Sequence, residues 1–126
     1  MIQPETTLKI ADNSGAVTAK CIKILGGFKR KKVSLGNFLT VSIKKLRNRS
    51  KKTSRVNKKD IYKALLIRTK TKHKVKNGFE ITFGENAVVL LNKQNNPIGS
   101  RIIGPLTKNL KKKKFQKVIG ISSGFI

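Results

Sequence analysis

Tryptophan is missing from this 126-residue chain, tyrosine occurs once and phenylalanine six times. Readers of single-stranded RNA commonly stack bases on a broad aromatic platform, and so little aromatic material argues against that mode. Acids are almost as scarce, with five Asp or Glu against thirty Lys or Arg and a formal charge of +25. A free domain with that charge repels itself, so its natural partner is a polyanion: nucleic acid, an anionic membrane or an acidic protein. The lone Cys21 cannot close an intramolecular disulfide and reads as a plain buried thiol in a reducing compartment. Long apolar runs are absent too. The longest, Ala87 to Leu91, is far too short to span a bilayer. The opening Met-Ile-Gln-Pro-Glu-Thr has neither the apolar centre of a secretory signal nor the Arg-rich, acid-poor character of a transit peptide. A single histidine, His73, sits inside a basic run, Asp60 and Glu85 have no partner carboxylate nearby in sequence, and no metal-ligand spacing occurs. Catalysis, metal binding and a small-molecule substrate or cofactor are therefore not expected. Leu25-Gly26-Gly27 and Gly99-Ser100-Arg101 lack the spacing of a phosphate-binding loop.

What is present suffices for a core. Apolar residues make up 37% of the chain, which sets it apart from a disordered basic tail, and the length suits one domain over residues 1–126. Leu39, Val41 and Ile43 alternate with polar residues, as do Phe79, Ile81 and Phe83, which is the period-two signature of half-buried strands. Val17, Ala19 and Cys21 begin another such pattern that changes phase at Ile22 and Ile24, as a bulge or a doubly buried strand would do. Ile61 to Ile67 and Ala87 to Leu91 are nearly continuous apolar runs that read as central strands, although periodicity alone leaves a buried helix open. Turn chemistry separates these runs at Asp12-Asn13-Ser14-Gly15, Gly26-Gly27, Gly36-Asn37, Asn77-Gly78, Asn95-Asn96-Pro97 and Gly104-Pro105. Asn77-Gly78 suits a type I′ hairpin. The pattern predicts a mainly β fold, a small closed five-stranded antiparallel barrel, which leaves no sheet edge exposed. A short helix is expected over about residues 105–115, with Pro105 at its first position and Leu106, Leu110 and Phe115 holding it to the body.

The cations fall in four runs. Lys29, Arg30, Lys31 and Lys32 form the first. The second occupies a basic hairpin or loop extension at about residues 44–60, with Lys44, Lys45, Arg47, Arg49, Lys51, Lys52, Arg55 and Lys58. This stretch is nearly devoid of apolar residues apart from Leu46 and Val56, and is expected to project and to order against a polyanion. The third run holds Arg68, Lys70, Lys72, Lys74 and Lys76. In a strand continuing past Ile67 these would form a row about 6 to 7 Å apart on one face, comparable to the spacing along a nucleic-acid backbone. The fourth is Lys111 to Lys114, with Lys117 beyond. Any single run would pass as a solvated loop, but four in one small domain point to nucleic acid.

Ala11-Asp12-Asn13-Ser14-Gly15-Ala16 followed by Cys21-Ile22-Lys23-Ile24-Leu25-Gly26-Gly27 resembles the opening of the universal large-ribosomal-subunit protein family numbered fourteen. Ile67-Arg68-Thr69-Lys70, Asn86-Ala87-Val88-Val89-Leu90-Leu91-Asn92 and Pro97-Ile98-Gly99-Ser100-Arg101-Ile102-Ile103-Gly104-Pro105 continue the match in order over nearly the whole chain. The resemblance implies a five-stranded barrel with a protruding hairpin and short C-terminal helices, bound to large-subunit rRNA. It further implies contact with small-subunit rRNA in intersubunit bridges, with the large-subunit proteins numbered three and nineteen as neighbours. Members are not enzymes, and in bacteria and organelles a ribosome-silencing factor docks on the same exposed surface. The bridge role would fall on the region from Arg101 to Lys114, through Arg101, Lys108, Lys111, Lys112, Lys113 and Lys114. The chain departs from the family in three places. The segment from Leu46 to Lys59 is longer and carries Lys59 where Gly is usual, Lys108-Asn109-Leu110-Lys111 replaces Arg-Glu-Leu-Arg, and Ser122-Ser123-Gly124-Phe125 replaces Ala-Pro-Glu-Val. Two acidic positions are thereby lost, and with them any silencing-factor contact that relies on them. Lys greatly outnumbers Arg, and Asn and Ile are plentiful, which reads as an AT-rich, organelle-encoded gene. A mitochondrial ribosome is the first expectation and a plastid or bacterial one the second. A basic barrel acting outside the ribosome as an RNA-binding or chaperone protein is the competing reading, and it predicts a large free pool.

Overall fold

In the structure, a computed structural model, residues 2–28, 33–47 and 53–126 are described. Along these residues run the strands β1 (Thr7–Ile10), β2 (Ala16–Ile24), β3 (Phe38–Leu46), β4 (Ile61–Arg68), β5 (His73–Lys74), β6 (Glu80–Ile81) and β7 (Ala87–Leu91), followed by the helix α1 (Gln116–Gly120). Strands β1-β2-β3-β4-β7 close a barrel in that order, while β5 and β6 form a separate two-stranded ribbon. Four of the barrel pairings are antiparallel. The closing pair, β1 with β7, is parallel, with Lys9 opposite Ala87 and Ile10 opposite Val88. The five-stranded antiparallel barrel expected from sequence thus forms with one parallel seam, because four successive antiparallel pairings leave β1 and β7, the first and fifth strands around the barrel, running the same way.

Period-two patterning builds β3, whose Leu39, Val41 and Ile43 are fully buried while Thr40 and Ser42 are partly exposed. In β2 the register slips between Cys21 and Lys23, turning Ile22 outward and returning Ile24 to the core. Further slips lie between Ala16 and Ala19. Bulges of this kind bend a strand and sharpen its twist, which a small barrel needs in order to close. Cys21 is buried within this strand and burial, with the nearby Glu5 charge, pushes its thiol pKa up.

The continuous apolar runs of β4 and β7 have a specific cause. Ala64, Leu66, Val88 and Leu90 point into the barrel, whereas Leu65, Ile67, Ala87, Val89 and Leu91 point out and are covered by Ile102, Leu106, Leu110, Phe115 and Val118. Successive side chains of a strand leave by opposite faces, so two cores on two faces demand an unbroken apolar sequence. The C-terminal arm is thus an outer layer laid over one wall of the barrel.

That arm is not the helix expected over residues 105–115. Leu106 bridges Phe125, Thr107 is extended, and 3-10 turns at Lys108–Leu110 and Lys113–Phe115 lead into α1, which begins at Gln116. Lys108 N–H donates to Ile126 O and Leu106 O accepts from Ile126 N–H, so neither group is available for the pairing of a helix running through them. Leu106, Leu110 and Phe115 do bury as anchors.

The described part of the 44–60 extension is tied to the barrel, with Val56 in the core, Ile43 N–H donating to Asp60 O and Lys59 N–H donating to Ile43 O, while residues 48–52 lie outside the described residues. Strands β5 and β6 form a second hairpin, where two expectations change. Of the alternating Phe79, Ile81 and Phe83, the last two are half-buried beside exposed Glu80 and Thr82, whereas Phe79 is exposed and β6 spans only Glu80–Ile81. Its loop is also not type I′, because Gly78 has φ +81° while Asn77 is not among the positive-φ residues. Gly78 N–H donates to Val75 O at 3.1 Å, the pattern of a three-residue loop whose last residue is left-handed.

Candidate nucleic-acid interface

The turn at residues 12–15 organises one end of the barrel. Asp12 is fully buried; its Oδ1 accepts from Ser14 N–H and Ser14 Oγ, and its Oδ2 accepts from Leu90 N–H at 3.0 Å. A buried carboxylate with three donors is satisfied and holds the turn rigid. Asn13 then reaches outward, its Oδ1 accepting from Ser100 N–H at 2.7 Å and Arg101 N–H at 3.2 Å. Arg47 N–H donates to Gly15 O, Arg55 N–H to Ser14 O, and Arg55 Nη1 to Ile98 O. Arg47, Arg55 and Arg101, remote in sequence, therefore converge on one turn. Lys44, Lys45 and Lys58 are exposed on the adjoining strand and return segment. Arg101, expected with the C-terminal lysines, belongs to this end instead. The first run, Lys29, Arg30, Lys31 and Lys32, lies outside the described residues, as do Arg49, Lys51 and Lys52.

A second cationic surface lies between the ribbon and the arm. Lys74 and Lys76 on one side and Lys108, Lys111 and Lys112 on the other line a cleft of about 630 Å³, with Ser34, Leu35, Asn77 and Asn109 completing it and no carboxylate among its lining residues. His73 borders it and contacts Thr69 Oγ1 at 2.7 Å; burial lowers the imidazole pKa. A third surface, about 270 Å³, places Lys113, Lys114 and Lys117 beside Asn95 and Asn96. The lysine run at 111–114 is thus divided between two faces, because each 3-10 turn rotates it about the buried Leu110 and Phe115.

The uninterrupted row from Arg68 to Lys76 does not form. Strand β4 ends at Arg68 and the chain bends at Lys70 and Thr71, leaving Lys70, Lys72 and Lys74 exposed. Arg68 itself is only 6% exposed. Its Nη1 donates to Ile103 O at 3.0 Å and its Nη2 lies 3.4 Å from Glu85 Oε1, so it ties the arm to the barrel and is not presented to a ligand. Burial lowers its pKa and Glu85 opposes that shift.

Among the described residues the ion pairs are Lys9–Glu85, Lys20–Glu5, Arg68–Glu85 and Lys72–Glu80. Lys20 holds the Glu5 carboxyl below its usual pKa. Three of the five acids thus serve four cations among the described residues, and five acids stand against thirty cations in the sequence. The exposed pairs, Lys9–Glu85, Lys20–Glu5 and Lys72–Glu80, contribute little stability and leave the surface strongly positive. Sequence reasoning read residues 12–15 only as a turn and missed that Asn13 Oδ1 fixes the Ser100–Arg101 backbone beside the segments of Arg47 and Arg55. In comparison with known protein families, residues 1–126 match the family described as ribosomal protein L14p/L23e.

Proposed function

We propose, since the chain belongs to the ribosomal protein L14p/L23e family and is a structural protein of the large ribosomal subunit, that it binds large-subunit rRNA through its cationic surfaces. The observation that supports this most directly is the arrangement of largely unpaired cations on three faces of one rigid barrel, with the charge far in excess of the acids available. Phosphates neutralised by Lys and Arg release condensed counterions, and rRNA segments whose close approach is opposed by repulsion are held together. Lys44, Lys45, Arg47, Arg55, Lys58 and Arg101 serve one RNA segment, and Lys70, Lys72 and Lys74 with the arm serve another. The Lys113–Lys114–Lys117 face is the one we assign to small-subunit rRNA across the subunit interface. Lys29, Arg30, Lys31, Lys32, Arg49, Lys51 and Lys52 belong to the same proposal on the strength of their charge. Neighbouring large-subunit proteins numbered three and nineteen, and a ribosome-silencing factor, are the protein partners that the family suggests. Composition favours a mitochondrial ribosome over a plastid or bacterial one.

With about eight phosphates contacted, affinity for an rRNA fragment should fall by about 10³ to 10⁴ between 50 and 200 mM salt. Binding of the full chain to large-subunit rRNA fragments across a salt series measures this directly. A nearly salt-independent affinity would overturn the proposal, and a large free pool on sucrose gradients would favour the non-ribosomal chaperone reading.

A further inference from the structure

Phe79 belongs to neither core and is 73% exposed in a chain with few aromatic rings. It lines an apolar crevice of about 230 Å³ together with Val75, Ile81 and Ile126. Val75, Asn77, Lys108 and Asn109 line both this crevice and the five-lysine cleft between ribbon and arm. One continuous surface is therefore cationic on one side and apolar on the other, with the carboxamides of Asn77 and Asn109 at the seam.

A nucleotide has that same division, an anionic phosphate and a flat base. Within a paired helix the base faces are hidden in the stack, so only an unstacked nucleotide offers both at once. The cleft is of the size that holds a small-molecule-scale ligand, which suits a nucleotide and its flanking phosphates and excludes a whole duplex. A peptide would need several acids beside an aromatic or aliphatic anchor, whereas RNA carries a charge at every residue. We infer that the ribbon and the C-terminal arm together hold one unstacked rRNA nucleotide, its base against Phe79 and its neighbouring phosphates between Lys74, Lys76, Lys108, Lys111 and Lys112.

Both sides of the site are set in advance. The ribbon is closed by Val75 N–H to Phe79 O at 2.8 Å and rooted by Thr82 Oγ1 to Lys70 O at 2.9 Å. On the arm, Leu110 is buried, Lys108 N–H donates to Ile126 O, and the Lys111 ammonium lies 4.5 Å from the centre of the Phe125 ring. Rigid side-chain supports reduce the ordering cost of binding. The amide groups of Asn77 and Asn109 supply both donors and acceptors for a base edge.

This inference rests on the rRNA-binding reading, and the experiment separates the two. The full chain is titrated with an RNA stem-loop carrying one bulged nucleotide and with the same stem fully paired, at constant salt. The wild type should prefer the bulged RNA. Phe79→Ala should lower affinity for the bulged RNA by about 5- to 100-fold and leave the paired RNA unaffected, the range expected for losing one base–aromatic stack. Phe79→Tyr should retain the preference, and the melting temperature of Phe79→Ala should match wild type because the ring is outside both cores. Equal binding of the two RNAs by wild type, or an unchanged bulge preference in Phe79→Ala, overturns the inference while leaving rRNA binding intact. Loss of a neighbouring subunit protein from Phe79→Ala subunits without any change in RNA binding would reassign the crevice to a protein contact and likewise overturn it. Failure of wild type to bind either RNA in a salt-dependent way would remove the underlying reading as well.

Discussion

Replacing Gly104 by alanine should loosen the C-terminal arm from the barrel, and the size of the effect follows from two separable terms. Gly104 has φ +89°, where an L side chain is strained by about 1–2 kcal/mol. A Cβ at this position would stand 1.9 Å from Arg68 Nη1 and 3.0 Å from its Cζ. Arg68 has little room to retreat, because it is buried, its Nη1 is bonded to Ile103 O and its Nη2 faces Glu85. Its Nε already has no hydrogen-bond partner. Displacing the guanidinium breaks a charge-assisted hydrogen bond worth about 1.5–3 kcal/mol. The two terms together give roughly 2.5–5 kcal/mol, a large share of the stability of a small domain. Urea unfolding of the full chain measures it; with a slope of about 2 kcal/mol per molar, the midpoint should fall by about 1.3–2.5 M. Arg68→Met provides the control. In that background Gly104→Ala should cost only the backbone term of about 1–2 kcal/mol, leaving a coupling of about 1.5–3 kcal/mol between the two positions. Equal costs of Gly104→Ala in the two backgrounds would refute the claim that Arg68 is the latch.

Lys59 has φ +71° at the position where the resembled family carries Gly, so Lys59→Gly should relieve about 1–2 kcal/mol of strain against about 0.5–1 kcal/mol of added chain entropy. A rise of a few degrees in the melting temperature is expected, and a fall would show that the lysine side chain makes a stabilising contact. Burial lowers the pKa of His73 below its usual 6.5, so the unfolded chain takes up the proton more readily than the folded one. The associated stability is present above that pH and is lost as pH falls below it. The urea midpoint of wild type should therefore decline on acidification more steeply than that of His73→Gln, and parallel declines would discard this assignment.

Local patterning carried the strands whose cause is local. Leu39, Val41 and Ile43 predicted β3 because one wall of a barrel buries every second residue. The apolar runs of β4 and β7 read as central strands, and their outer faces meet the arm as such runs require. Phe79 and the Pro105–Phe115 segment were misread for the same reason. Their apolar spacing suits a strand and a helix, but the first has no neighbouring strand to cover it and the second exchanges its backbone bonds with residues 124–126. Arg68 was misread because charge alone does not reveal burial, and its partners, Glu85 and Ile103 O, lie far along the chain.

Composition by itself determined that this chain has apolar material enough for a core and a charge of +25, since both follow from sums over residues and are independent of their arrangement. Residue order determined the barrel strands through a period set by backbone geometry. Tertiary structure alone decided the gathering of Arg47, Arg55 and Arg101 at the turn of residues 12–15 and the division of Lys111 to Lys114 between two faces. Each of these depends on contacts between segments separated by tens of residues. Local preference cannot encode which cations will share a surface, because the direction of each side chain is set by what its strand or turn packs against.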